Sequence, residues 1–331
     1  MRAIQIVDLS GPASALEPAD LPEPEASHPF TPGTGVVIDV RAAGVSFPEV
    51  LQTRGEYQLQ PDLPFVPGSE VAGIVRSAPE GAAVHEGERV AAFCALGGFA
   101  ETAVAPAFLV FPLSERLDDA QGAGLVLNYH TAWFGLKLRG RLREGETVLV
   151  HGAAGGVGTA ALQVAKGLGA RTIAVVSSDD KEEVARAAGA DEVLRSGSSW
   201  KDEAKELSGG GVDVVLDPVG GDRFTDSLRS LREGGRAVVV GFTAGSIPEV
   251  RVNRLLLNNL EVVGAGWGAY VLGKPDLNRE IGAVLAELAE AGHVSPIVGA
   301  RFPLERASEA LELIDGRGAT GKVVLDIRQD A

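Results

Sequence analysis

Apolar residues recur along this chain in two different rhythms. Up to about residue 115 they come in short runs of strand length, at residues 3–7, 36–40, 71–77, 89–93 and 99–104, with Pro22, Pro24, Pro29 and Pro32 crowding the interval between the first two. Short runs bounded by proline and glycine predict strands, so this part is expected to form a compact all-β unit. Around Asp118 the rhythm turns helical, and from Thr147 onward strand-length and helix-length runs alternate. Strands are predicted at 147–150, 171–176, 212–216 and 236–240, with helices at 159–168, 181–188 and 224–232 between them. Such alternation requires crossovers of one hand and gives a doubly wound parallel sheet covered on both faces. A further strand-like run at 260–264 precedes helical stretches at 279–291 and 304–315, and a last strand at 322–327 could complete either sheet.

Composition narrows the partners. A length of 331 residues suggests two domains, and 45% hydrophobic against 23% charged residues excludes intrinsic disorder. Lys and Arg number 30 against 45 Asp and Glu, and the resulting charge of -15 argues against nucleic acid or an anionic bilayer as a partner. One cysteine, Cys94, permits no internal disulfide and no thiolate metal cage, which suits a reducing compartment. No window approaches the roughly 20 apolar residues of a membrane span, and residues 1–7 lack a secretory core, so the expected location is the cytoplasm.

The strongest chemical signal is Thr147-Val148-Leu149-Val150-His151-Gly152-Ala153-Ala154-Gly155-Gly156-Val157-Gly158, running into Thr159-Ala160-Ala161-Leu162. An apolar strand enters small residues and then a helix whose free N–H groups and positive end favour a pyrophosphate. Gly155 and Gly156 allow the backbone to approach phosphates, and Gly158 lets helix and strand pack. An NAD site would place an acid at the tip of the next strand, whereas Val175-Val176 ends here in Ser177-Ser178. A 2′-phosphate there would meet hydroxyls and Lys181, so the expected cofactor is NADP (NADPH). Asp179 and Asp180 would oppose a phosphate if they faced it, and Ser178 could instead simply cap the helix that follows. Three lookalikes are set aside. Tyr270 and Lys274 have the spacing of a short-chain dehydrogenase pair, but Gly273 and Pro275 make a poor helix. Gly316 to Lys322 has phosphate-loop spacing but is followed by Val323 and a strand. His151-Gly152 has no accompanying Gly-x-Ser-x-Gly nucleophile turn.

Several further stretches carry a likeness running essentially end to end. They are Ala43-Gly44-Val45-Ser46-Phe47-Pro48-Glu49, Arg54-Gly55-Glu56-Tyr57, Pro64-Phe65-Val66-Pro67-Gly68-Ser69-Glu70, Tyr129-His130-Thr131-Ala132, and Asp217-Pro218-Val219-Gly220-Gly221. With the glycine turn they make the chain resemble the medium-chain dehydrogenase/reductase superfamily, in its zinc-free quinone oxidoreductase branch. The resemblance implies an α/β protein: a GroES-like β-barrel substrate domain from residues 1–122 and 266–331, and a Rossmann domain from residues 123–265. It implies a homodimer as well. Zinc relatives carry Gly-His-Glu where this chain has Gly68-Ser69-Glu70, so no metal site is expected, and Glu70 is expected to be structural. The resemblance further places Tyr57 and Ser46 as the catalytic candidates lining a substrate cleft, Thr131 near the nicotinamide, and Gly152 and Ala154 to Val157 at the pyrophosphate. It puts Ser178 and Lys181 at the adenosine phosphate, Phe242 and Thr243 beside the nicotinamide ribose, and Trp267, Lys322 and Arg317 as contacts from the C-terminal segment. Ser196 stands where the family often has a Tyr over the 2′-phosphate, which implies either a lower NADP affinity or support from Arg195 instead.

The expected activity is NADPH-dependent hydride transfer to a small-molecule quinone or α,β-unsaturated carbonyl (enone), acceptors that delocalise the incoming charge onto oxygen without a metal. An enoyl-thioester reductase and a cofactor-binding protein with little catalysis are the alternatives. The first of these would call for a basic groove.

Overall fold

The computed structural model describes residues 1–197 and 199–328. The chain divides into two compact units, one of residues 1–127, 271–286 and 296–331, the other of residues 128–270 and 287–295.

In the first unit the long strand Gly35–Val45 is the hub. It pairs antiparallel with Glu70–Ser77 on one side, and with Thr102–Pro106 and Lys322–Asp326 along the other. The sheet runs in the order Val298–Pro303, Lys322–Asp326, Gly35–Val45, Glu70–Ser77, Arg89–Phe93, Val110–Pro112. The terminal strand, which sequence pattern left open, thus completes this sheet. Its core is aliphatic, with Ile38, Val40, Val71, Val75, Val90 and Leu325 all at most 1% exposed. This part is not purely β, as expected above. Pro48 near the start of Phe47–Gln52 and a Glu49 carboxylate accepting the Ser46 N–H at 2.9 Å start a short helix there. A helix at Ala307–Asp315 also packs here, tied by Asp315 to Arg54 at 2.6 and 3.0 Å.

The second unit carries a six-stranded parallel sheet in the order Glu192–Arg195, Arg171–Val176, Thr147–His151, Val212–Asp217, Leu231–Val239, Glu261–Gly264. The chain moves outward from Thr147–His151 in one direction and then crosses back to its other side, so the strand order reverses at that central strand. Buried on both faces, the inner strands read as continuous Val, Leu and Ile runs, which is why their periodicity was plain. The edge strand Glu192–Arg195 and the helix Trp200–Leu207 escaped prediction because both are polar on their outer side. Among the described residues no helix is long and apolar enough to cross a membrane.

Candidate active site

Ligands of open α/β sheets bind beyond the carboxyl ends of the strands where the order reverses, and the glycine turn lies there. Strand Thr147–His151 ends in Gly152, whose φ of +57° is costly for any residue with a Cβ. The turn closes with the Gly155 N–H donating to Gly152 O at 3.0 Å. Helix Gly156–Gly167 then starts with Gly155 at its N-cap and no capping side chain, so the free N–H groups of its first turn are left for an external acceptor. Two glycines are dictated by contact: a Cβ on Gly158 would stand 2.2 Å from Gly152 O, and one on Gly156 would stand 2.6 Å from Asn128 Nδ2. Ala154 is buried, and Val157 is half-buried at the start of the helix.

The next strand, Arg171–Val176, delivers Ser177 and Ser178 to the same edge. Ser178 occupies the N-cap position of helix Asp179–Ala187 but makes no capping bond; its hydroxyl donates to Asp180 instead. That bond is the main reason the Asp180 carboxyl is held below the usual range. Arg195, at the end of the neighbouring strand, donates to Ser178 O, to Asp179, and to Glu182 Oε2 at 2.6 Å. The two aspartates that could oppose a phosphate are therefore each engaged, one by a guanidinium and one by a hydroxyl. Ser196 is fixed alongside by its N–H, which donates to Val176 O at 2.8 Å. Ser177, Ser178, Lys181 and Arg195 accordingly gather at one end of two adjacent strands.

Elsewhere in this unit Thr131 is 8% exposed on helix Val126–Trp133. Phe242 and Thr243 follow strand Leu231–Val239, with the Phe242 ring 38% exposed and the Thr243 N–H donating to Pro218 O at 3.2 Å. Gly220, at a φ of +66°, makes room for that ring: its Cβ would stand 3.0 Å from Phe242 Cδ1. Trp267 is not displayed on a surface but is 2% exposed and stacked on His130 at 5.4 Å. Burial holds the His130 imidazole at about 3 and that of His151, at the end of the central strand, at about 4, so both rings are neutral.

In the first unit, three strand ends meet in a buried polar cluster. Glu70 opens its strand opposite Gly44, and Val323 lies opposite Val45, which brings Lys322 beside Ser46. The Lys322 ammonium donates to Glu70 Oε1 and, at 2.6 Å, to Ser46 Oγ. Glu70 Oε2 accepts the Leu127 N–H at 2.9 Å. Beside it, Glu49 Oε1 accepts the Ser69 N–H at 2.9 Å and also the Ser69 hydroxyl. Glu49, Glu70 and Lys322 are at most 3% exposed, whereas Ser46 is partly open. Burial raises the Glu49 carboxyl, and burial followed by the Glu49 charge raises the half-buried Tyr57 phenol, which keeps its proton. Cys94 lies behind, fully buried, its thiol donating to Gly68 O at 3.4 Å and pushed well up by burial. Arg317 sits in an exposed turn at a φ of +58°. Among the described residues no group of three or more His, Cys, Asp or Glu is placed to hold a metal ion. The carboxylates of this cluster are satisfied by Lys322, Ser69 and backbone N–H groups.

The family described as alcohol dehydrogenase GroES-like domain matches residues 32–115, and that described as zinc-binding dehydrogenase matches residues 156–290. Quinone oxidoreductase-like protein 2 of Bos taurus is 37% identical over 298 residues, covering 88% of this chain and 85% of its own length. Quinone oxidoreductase of Rattus norvegicus is 35% identical over 332 residues, covering 98% and 97%. Among solved structures, the quinone oxidoreductase from Thermus thermophilus, described also in its complex with NADPH, superposes with a TM-score of 0.83 at 36% identity and covers 99% of this chain and 100% of that one.

Proposed function

The chain belongs to the quinone oxidoreductase branch of the medium-chain dehydrogenase/reductase superfamily, and from that premise we propose that it reduces a quinone or an α,β-unsaturated carbonyl with NADPH and without a metal. The observation that carries the reading is the uncapped helix start after Gly152, at the point where the order of the parallel strands reverses. Bound NADPH supplies the hydride. The protein's part is to hold the pyrophosphate on the N–H groups of residues 156 and 157, and to meet the 2′-phosphate with the Ser177 and Ser178 hydroxyls, Lys181 and Arg195. Thr131, Phe242 and Thr243 flank the nicotinamide end. Ser46 and Tyr57, both carrying O–H groups, offer hydrogen bonds to the oxygen on which negative charge develops. The occupied carboxylates of the first unit support chemistry in which such donors, not a metal ion, polarise the acceptor.

Two finer points belong to the same proposal. The single cysteine and the absence of a membrane-crossing helix among the described residues are consistent with action in the cytoplasm. A homodimer is supported by strand Glu261–Gly264, which ends the parallel sheet and pairs on one side only, and by exposed apolar residues near it in sequence.

The test is calorimetric titration with NADPH and NADH, followed by loss of nicotinamide absorbance on adding a para-quinone and then an enone. Tighter NADPH binding and turnover are expected, and Lys181→Ala should weaken NADPH about tenfold while leaving NADH unchanged, the loss of one charge-assisted contact. Binding without turnover on either acceptor would sink the catalytic reading, and equal losses for both nucleotides would remove Lys181 from the phosphate site.

A further inference from the structure

The buried cluster of the first unit shows a feature that the proposed reaction does not by itself require. Lys322 enters it through a passage cut by missing side chains. A Cβ on Gly44 would stand 2.7 Å from Lys322 Cε and 2.2 Å from Ala123 O, and one on Gly124 would stand 3.0 Å from Lys322 Cγ. Gly321, just before it, holds a φ of +59° with its Cβ direction closed by Ile297 O at 2.3 Å, which aims the start of the strand. The lysine is thus 3% exposed, gripped along its stem, and charge-paired with a fully buried Glu70.

The chemistry at the tip is asymmetric. An ammonium has three donors and no lone pair, so Ser46 Oγ can only accept from Lys322 Nζ, which stands 2.6 Å away. The Ser46 backbone N–H is likewise engaged, donating to Glu49 Oε2 at 2.9 Å. The hydroxyl proton must therefore be directed to another acceptor, and among the described residues no carboxylate of the cluster takes it. Ser46 is the partly open member of an otherwise buried group, so that proton is the one the cluster presents outward. A positive charge on the far side of an O–H strengthens it as a donor.

We infer that Lys322 is a positioning residue: it fixes and polarises the Ser46 hydroxyl as a hydrogen-bond donor to the oxygen that gains charge when the acceptor is reduced. In that step hydride adds to an acceptor carbon, the displaced π electron pair moves to the conjugated oxygen, and the Ser46 O–H bonds to that oxygen without being transferred. The proton that completes the product comes from solvent. Glu70 acts one step further out, holding the ammonium in place. On this inference Lys322 acts through Ser46, a different role from the cofactor contact that the resemblance implies. This inference rests on the proposed role of Ser46 and assigns what makes that role work.

The experiment is a double-mutant cycle read in kcat for NADPH and a para-quinone, with NADPH affinity measured separately by titration. Lys322→Met is combined with Glu70→Gln, so that no buried charge is left alone. This variant should lose about a hundredfold in kcat with NADPH affinity unchanged, the scale of one lost oxyanion donor. Ser46→Ala should lose a similar factor, and the two changes together should cost no more than either alone. Ser46→Thr, which keeps the hydroxyl, should recover most of the rate in the parent but none of it in the charge-deleted variant. If the losses multiply, Lys322 acts independently of Ser46 and the inference fails while the reductase reading stands. Should Ser46→Ala turn over like the parent, the donor role itself falls, and a drop in NADPH affinity on removing Lys322 would return that lysine to the cofactor. If the charge-deleted variant does not fold, Lys322→Arg provides the same cycle. It keeps the pair with Glu70 but moves the donor geometry off Ser46.

Discussion

His130 and Trp267 show how burial decides chemistry at single positions. With the imidazole pKa lowered from 6.5 to about 3 by desolvation, His130 is neutral in the folded protein at any pH the enzyme works at. A folded pKa below the unfolded one gives stability that is fully present above pH 6.5 and is lost as the pH falls toward 3. His130→Phe keeps a ring against Trp267 but cannot take up a proton. It should flatten the acid side of the stability profile by about 2 kcal/mol at pH 5, leaving the part due to His151. Chemical denaturation at pH 7.5 and pH 5 checks this, and parallel acid losses in variant and parent would show that His130 is not the group being protonated. Neither burial was legible in the sequence, where the resemblance makes Trp267 a cofactor contact. The corner proposed for the adenosine phosphate was more legible. Ser178 and Lys181 could be picked out from the missing acid at the strand tip, whereas the engagement of Asp179 and Asp180 depends on Arg195 from an adjacent strand that sequence pattern did not resolve.

At the scale of elements, the glycine turn is the best case of sequence determining geometry, because its requirements are local. Strand, small residues and helix follow one another within about twenty positions, and Gly152 and Gly158 answer a dihedral and a contact inside that span. Gly158→Ala puts a methyl group 2.2 Å from Gly152 O, a backbone atom that cannot swing away. The helix must shift, at a cost of about 1–3 kcal/mol. The expected outcome is a lower melting temperature together with loss of NADPH binding. Retained binding with an unchanged melting temperature would mean that the turn accommodates the methyl group. The Ser46, Glu70 and Lys322 cluster is the opposite case. Its members lie far apart in sequence and meet only through strand register, so no window of sequence contains the signal. What the sequence does hold is the pair of small residues, Gly44 and Gly124, whose purpose becomes visible only when the lysine stem is seen beside them.

For the whole molecule, the chain divides into two compact units, and the assignment of the last strand to the first of them needed its hydrogen-bond partners. The second unit leaves Val252, Leu256 and Leu257 between 73 and 77% exposed on and beside helix Asn253–Asn258, a helix with no buried residue. Isolated apolar side chains on a surface are ordinary, but several together beside a sheet edge favour burial against another copy. Replacing Leu256 and Leu257 together by Glu should shift a dimer to monomer in sedimentation velocity while leaving NADPH affinity within about twofold. An unchanged sedimentation coefficient would place the dimer contact elsewhere. Quinones and enones are also soft electrophiles that capture exposed thiolates. A catalyst handling them is at risk of alkylation by its own substrate. Here the single sulfhydryl is sealed in the β core, protonated and hydrogen-bonded, so such an electrophile would meet no thiolate on the folded chain.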